Sequence, residues 1–415
     1  MKLSMDESKK IPKNFCVMPF VGGIIKYNGD IDVCCQIEKN NKNNFNIKTD
    51  SFKKWTKSNY RIDLQKDFLS NKKPEACKNC WNTELQGSNS LRKLKNNEYK
   101  INYFKNIEKF LKRYPLAHDP IEWEMQITNL CNLKCQMCSG SNSSKLLAEN
   151  QKIYKTKGLS LAEHEKKELV LKQADFDVDD KAVEHISEIL REKIRLINFR
   201  GGETFLVPRI KQLLKILIEQ GNSKNLILHI TTNGTIVDDD ILRLLEKFKK
   251  IRLMLSIEST DQQNDYIRFP SKWKEIEKNI KRFQTLTNIE FYVFTVVTNL
   301  SLLNIDKLIK FSIKNNFFTN LCITNYPDYM NFDVLPLNIL KLSLDKLLKL
   351  KLEVSKFSKI DNFDTLINRL NKKIETYSLD KDKWKKFVKI IQLRDQYRKV
   401  TIQDYVPELA KHIYN

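Results

Sequence analysis

Between residues 115 and 330, short apolar runs of strand length alternate with stretches of helical periodicity, and this rhythm restricts the fold more than any other feature. The runs are IEWEMQIT (121–128), IRLINF (194–199), LILHITT (226–232), IRLMLSIE (251–258), EFYVFTVV (290–297) and TNLCIT (319–324). Segments between them, such as PRIKQLLKILIEQ and DDILRLLEKF, place apolar residues three and four apart, as an amphipathic helix requires. Strands alternating with helices build repeated βα units around a parallel sheet. Two regions flank this core. Residues 1–100 hold five of the nine cysteines and include IIKY-NG-DIDV, two alternating runs joined by Asn28-Gly29, a two-residue hairpin signal. From 335 to 415 the pattern is helical only.

A chain of 415 residues has room for two or three domains. At 41% hydrophobic and 30% charged it reads as a soluble globular protein, not a disordered one. No apolar run reaches the roughly 18 residues of a membrane span, and the start, MKLSMDESKKIPKN, lacks the apolar stretch of a secretory signal. The expected location is cytoplasmic, where cysteines serve as ligands or reactive groups more than as disulfides. Net charge is +22. That excess suits a polyanionic partner such as RNA, but the lysines are dispersed over presumed helix faces, so a solvated basic surface is the favoured reading.

Chemistry concentrates in TNLCNLKCQMCSG, residues 128–140, which sets Cys131, Cys135 and Cys138 in a C-x3-C-x2-C array just after the first strand. Loops after the ends of parallel strands line the active face of a barrel. Three thiolates at this spacing can hold three irons of a cubane while a fourth iron stays open, whereas Fe–S clusters normally take four cysteines. A structural zinc site needs a fourth ligand nearby, and the next twenty residues contain no Cys or His.

The array, with NFRGGETFLVP (198–208) after the second strand and ITTNGTI (230–236) after the third, resembles the radical SAM superfamily over about residues 115–330. The resemblance implies an α/β fold: a partial (β/α)6 TIM-type barrel, here between an N-terminal Cys-rich α+β module and a C-terminal helical region. It implies a 4Fe–4S cluster on Cys131, Cys135 and Cys138, with S-adenosylmethionine (SAM) on the open iron. One electron then cleaves SAM to a 5′-deoxyadenosyl radical that abstracts hydrogen from substrate. Gly201, Gly202 and Glu203 match the motif that meets the methionine amino group, with Thr204 where the family often has proline. Thr232, Asn233, Ser256, Glu258 and Asn299 are cofactor-binding candidates, the last three for ribose, and Arg268 is a candidate for the SAM carboxylate or else a surface loop residue. Strand alternation puts Glu124, Gln126, Thr128, Asn198, Arg200, His229, Thr231, Asn233, Ser256 and Glu258 on one polar face. His229 reads as a satisfied barrel histidine and Cys322 as a core residue. No catalytic residue is assigned.

The N-terminal cysteines give Cys16, twelve residues to Gly29, four more to Cys34, then Cys77-x2-Cys80. Four thiols from three segments can close one cluster, or hold a structural zinc. The spacing resembles the front half of the auxiliary modules called SPASM and twitch, which implies a second 4Fe–4S cluster on Cys16, Cys34, Cys77 and Cys80, with Cys35 a spare thiol or alternative ligand. CWNTELQGSNSLR resembles the helix leading into the barrel. The expected organisation is an auxiliary module (1–100), a partial barrel (115–330) and a helical extension (335–415). The expected function is radical SAM modification of a peptide or small molecule, served by a reducing donor such as flavodoxin or ferredoxin. The alternatives are RNA modification and a non-catalytic Fe–S or zinc module.

Overall fold

The Asn-Gly segment does form a hairpin, between β1 (Gly22–Ile25) and β2 (Ile31–Asp32). Its turn is one residue longer than the sequence suggests. Lys26 N donates to the Asp30 carbonyl at 2.9 Å and Gly29 N to the Lys26 carbonyl at 2.7 Å, so Tyr27, Asn28 and Gly29 form a three-residue loop. Gly29 takes the left-handed position, φ +88°, that such loops require of their last residue. The side chain of Asn46 fixes it, donating to the Asn28 carbonyl at 3.0 Å.

The computed structural model describes residues 10–38, 42–85, 89–104, 106–172, 178–323 and 326–414. Each apolar run of the central region becomes a strand: β3 (Glu122–Gln126), β4 (Leu196–Arg200), β5 (Ile227–Thr232), β6 (Lys250–Ser256), β7 (Ile289–Val297) and β8 (Phe318–Ile323). A two-residue strand, β9 (Ile360–Asp361), follows. Thr324, the last residue of the sixth run, lies outside the described residues, as do 86–88 of the segment after Cys80. The fold class is α/β with a mostly parallel sheet and a helical C-terminal region.

The chain divides into two compact units. One comprises Met1–Thr128, Phe176–Arg200 and Gln212–Leu228; the other Asn129–Asp175, Gly201–Lys211 and His229–Asn415. In the first unit the strand order is β2-β1-β3-β4, antiparallel only between β1 and β2. Its core is aromatic. Phe15, Phe20 and Phe110 pack with ring centroids 5.0–5.4 Å apart, and Trp55 lies 5.9 Å from Trp123. Arg61 is fully buried beneath them, its guanidinium donating to the carbonyls of His118 (2.8 Å) and Phe20 (3.1 Å) and facing the Trp55 ring. Buried cations are tolerated when hydrogen-bonded in this way.

In the second unit β6, β7, β8 and β9 are parallel neighbours, with Ser256 opposite Phe294 and Val296 opposite Cys322. The period-2 pattern separates two faces. Leu253, Leu255, Val293, Val297 and Leu321 are buried, while Met254, Ser256, Tyr292, Asn320 and Cys322 are half-buried. Cys322 therefore sits on the face of Ser256 and not in the fully packed core that the sequence suggested.

Candidate functional site

The cysteine loop is held by its own backbone and by short polar side chains. Ser143 caps the helix Ser144–Ile153, accepting from Leu146 N at 3.1 Å, and the same hydroxyl donates to the Leu133 carbonyl at 2.6 Å. Asn129 donates from its amide to the Gly140 carbonyl at 2.9 Å. Lys134 N and Gln136 N donate to the carbonyls of Phe269 and Ile267 at 2.6 and 2.8 Å. The result packs Cys131, Leu133 and Cys135 into a buried cluster against which Met137 and Cys138 lie. Burial pushes the Cys131 thiol up to about 12, and proximity to Cys135 adds to the effect. Cys138 is raised by burial and then by both neighbours. Burial raises Cys135 too, against the opposing pull of Arg268. Three thiols thus crowd one another in an apolar setting that favours neutral forms until a cation neutralises them.

The glycine pair packs directly against this loop. Gly202 has φ +56°, and a Cβ there would lie 2.2 Å from the Leu130 carbonyl oxygen, so only glycine fits. Glu203 N donates to the same oxygen at 2.8 Å. The Glu203 side chain is engaged within the chain. Fully buried, it accepts from Thr232 Oγ1 (2.7 Å), Asn233 N (2.7 Å) and Phe205 N (3.2 Å). It braces the β5 loop to the glycine turn. Besides the Thr232 bond to Glu203, Asn233 Nδ2 donates at 3.0 Å to Asn132, a residue between Cys131 and Cys135.

Arg268 is no surface residue. It forms a bidentate pair with the fully buried Glu258, Nη2 to Oε1 at 2.8 Å and Nε to Oε2, and its Nη1 lies 3.6 Å from the Cys135 sulfur. Two predicted cofactor residues therefore meet each other beside the thiols. Ser256 lies half-buried at the end of β6. Asn299 is buried, its amide donating to the Tyr329 carbonyl at 2.9 Å and its Oδ1 left without a partner. His229 touches Arg252, 3.3 Å away.

In the first unit, Cys16, Cys34, Cys77 and Cys80 line a single cavity together with Met18, Phe68 and Arg92. Burial raises all four thiols, Cys77 to about 12, and Cys16 is raised further by Cys77 and Cys80. Arg92 opposes this. Its guanidinium is fixed by Glu84 (2.9 and 2.6 Å) and by the Phe15 carbonyl (2.9 Å), over the Trp81 ring. Cys35 does not line the cavity; burial raises it to about 11, and its charged neighbours are Glu124 and Arg200. Glu124 pairs with Arg200 at 3.4 Å, and Gln126 donates to Glu124 at 3.1 Å.

Residues 125–312 match the model of the Radical SAM superfamily. This stretch is a radical SAM domain. No curated protein matches the chain. Among solved structures it is similar to native anSMEcpe with bound AdoMet, at 17% identity and TM-score 0.41, over 59% of this chain and 65% of that one. It is also similar to Streptococcus suis SuiB bound to precursor peptide SuiA, at 16% identity and TM-score 0.40, over 85% of this chain and 72% of that one. The chain thus spans just under two thirds of the length of anSMEcpe. No helix among the described residues is long and apolar enough to cross a membrane.

Within the radical SAM domain the donor set fits the cluster the family implies: three thiols, a buried wall and a cation beside Cys135. Among the described residues no three Cys, His, Asp or Glu side chains converge tightly enough to hold a single ion. Asn132 and Arg92 also belong to these surroundings and are not legible as such in the sequence. Nothing in their local spacing marks them, since each matters through partners elsewhere in the chain.

Proposed function

We propose that this chain is a radical SAM enzyme carrying two iron–sulfur clusters and acting on a peptide or small molecule. The observation that supports it most is the cysteine loop itself, with Cys131, Cys135 and Cys138 gathered in one mostly buried cluster and Gly202 packed against the loop at Leu130. When bound, cluster and SAM supply reductive cleavage of a carbon–sulfur bond and a 5′-deoxyadenosyl radical. The chain's own part is to bind, orient and exclude water. Gly201 and Gly202, lacking side chains, leave backbone carbonyls open to the methionine ammonium, and Glu203 fixes the turn from behind. Arg268 is the cation available to a carboxylate, and Glu258 holds it in place until then. Ser256, Glu258 and Asn299 are the candidates for the ribose.

The four-thiol cavity is read as a twitch-like module for one auxiliary 4Fe–4S cluster, with Cys34 and not Cys35 as the ligand from that pair. Arg92 would offset part of the charge of four thiolates. Such a cluster serves electron transfer or substrate anchoring, and the enzyme would draw electrons from a flavodoxin or ferredoxin. The test is anaerobic reconstitution followed by dithionite and SAM. The expected product is 5′-deoxyadenosine from wild type and none from Cys135→Ala. A reconstituted wild-type chain that forms no 5′-deoxyadenosine overturns the proposal in favour of a non-catalytic metal-binding module.

A further inference from the structure

The helix Lys381–Arg398 carries three charged residues at its end, Arg394, Asp395 and Arg398, and all three are buried. A terminal helix that served only as packing would present such charges to water. Arg394 instead donates from Nη1 to the backbone carbonyl of Gln136 and to its Oε1 (3.0 Å), and from Nη2 to Asn150 Oδ1 at 3.1 Å. Arg398 donates from Nη2 to the Lys134 carbonyl at 2.7 Å, and from Nε to Glu149 Oε1 at 2.9 Å. Glu149 Oε2 in turn receives Lys134 Nζ at 3.0 Å. Asp395 secures the helix end by accepting from Tyr266 Oη at 2.7 Å and Ile402 N at 2.8 Å.

Lys134 and Gln136 are the residues on either side of Cys135. The helix therefore grips the middle of the cysteine array through both of that residue's neighbours. Three donors of the group, Arg394 Nε, Arg398 Nη1 and Gln136 Nε2, are buried without a hydrogen-bond partner. Arg394 Nε also lies 4.0 Å from Glu149 Oε1, so both arginines of the helix end gather on one buried carboxylate beside the 134–136 segment.

We propose that Arg394 and Arg398 are positioning residues of the cluster on Cys131, Cys135 and Cys138, fixing the 134–136 segment and holding positive charge beside it. This rests on the assignment of those cysteines as cluster ligands. Partners of this kind behind metal ligands typically govern affinity by 10–100-fold.

The experiment compares wild type, R394Q, R398Q, R398K and a reference variant, R369Q, whose arginine pairs with the partly exposed Asp333. Each chain is reconstituted anaerobically at limiting iron. R394Q and R398Q are expected to bind the SAM-type cluster roughly 10–100-fold more weakly. In R398Q the residual cluster is expected to have a more negative midpoint potential, because removal of a nearby cation disfavours the added electron. R398K, which keeps the charge but not the fork, is expected to restore the potential more than the loading. In the metal-free chains, amide exchange across residues 129–140 is expected to quicken in R394Q and R398Q and to stay unchanged in R369Q. Wild-type loading, potential and exchange in R398Q overturn the proposal while leaving the cluster intact. A wild-type chain that takes up no iron on the three cysteines overturns the cluster assignment, and this proposal with it.

Discussion

At the scale of single residues, the site is set by atoms that cannot be added as much as by groups that are present. Gly202 stands at φ +56° with the Leu130 carbonyl where a side chain would begin, 2.2 Å from an added Cβ. Alanine there meets the left-handed penalty of about 1–2 kcal/mol, and the overlap with backbone oxygen adds to it. Backbone cannot rotate aside as a flexible side chain does, so the loop bearing Cys131 must shift. Gly202→Ala is therefore expected to lower stability by more than that penalty and to reduce iron loading at the three-cysteine site. Gly221→Ala is the matched control: its φ is +73°, but nothing lies within 4 Å of the added Cβ. Denaturant melts and iron assays of the two variants separate strain from collision. Equal losses in both would mean that the close approach to Leu130 has no consequence.

At the scale of elements, the strands were legible in the sequence because burial on a sheet leaves a period of two. The six apolar runs fall on β3 to β8 to within one or two residues at either end, and the half-buried polar face of β5 and β6 follows the alternation. The thiol spacing and the Gly-Gly pair were legible because each is local. The role of the helix Lys381–Arg398 was not. Arg394 reads as an ordinary charge in FVKIIQLRDQYRKV, and its acceptor at Gln136 lies 258 residues away. The Glu203 brace escaped for the same reason, its partners lying on another loop. Glu149, at the centre of the clamp, yields a prediction about pH. Burial acts to raise its carboxyl, but hydrogen bonds from Arg398 and Lys134 outweigh that and hold it below the usual range. A lowered carboxylate contributes stability that is complete above its unfolded value, about 4.3, and is lost as pH falls through the folded one. Glu149→Gln leaves the buried Arg398 and the half-buried Lys134 without their carboxylate and is expected to cost about 3–5 kcal/mol at pH 7. The gap between wild type and variant is expected to narrow steadily below about pH 4.3. A gap independent of pH would show that the charge of Glu149 does not support the fold.

At the scale of the whole molecule, each cysteine set is built inside one compact unit: Cys16, Cys34, Cys77 and Cys80 in the first, Cys131, Cys135 and Cys138 in the second. The residues that fix each set, Arg92 with Glu84 and Arg268 with Glu258, likewise share its unit. If each set holds a cluster, two sets supported separately can be emptied separately. A chain loaded at both holds about eight irons, four per cubane. Removing one thiol of the first set is expected to bring this to about four while SAM cleavage to 5′-deoxyadenosine continues. The adjacent pair supplies the sharpest form of the experiment, since Cys34 lines the cavity and Cys35 does not. Cys34→Ala is expected to lose the second cluster, and Cys35→Ala to keep it, although the substitutions are neighbours and remove the same atom. If both variants retain full iron, the cavity holds no cluster. If wild type binds about four irons and one zinc, the four thiols hold a closed tetrahedral ion. If Cys35→Ala alone loses iron, the ligand is the thiol that now sits beside Glu124 and Arg200, and the 34–35 segment must turn over when the metal enters.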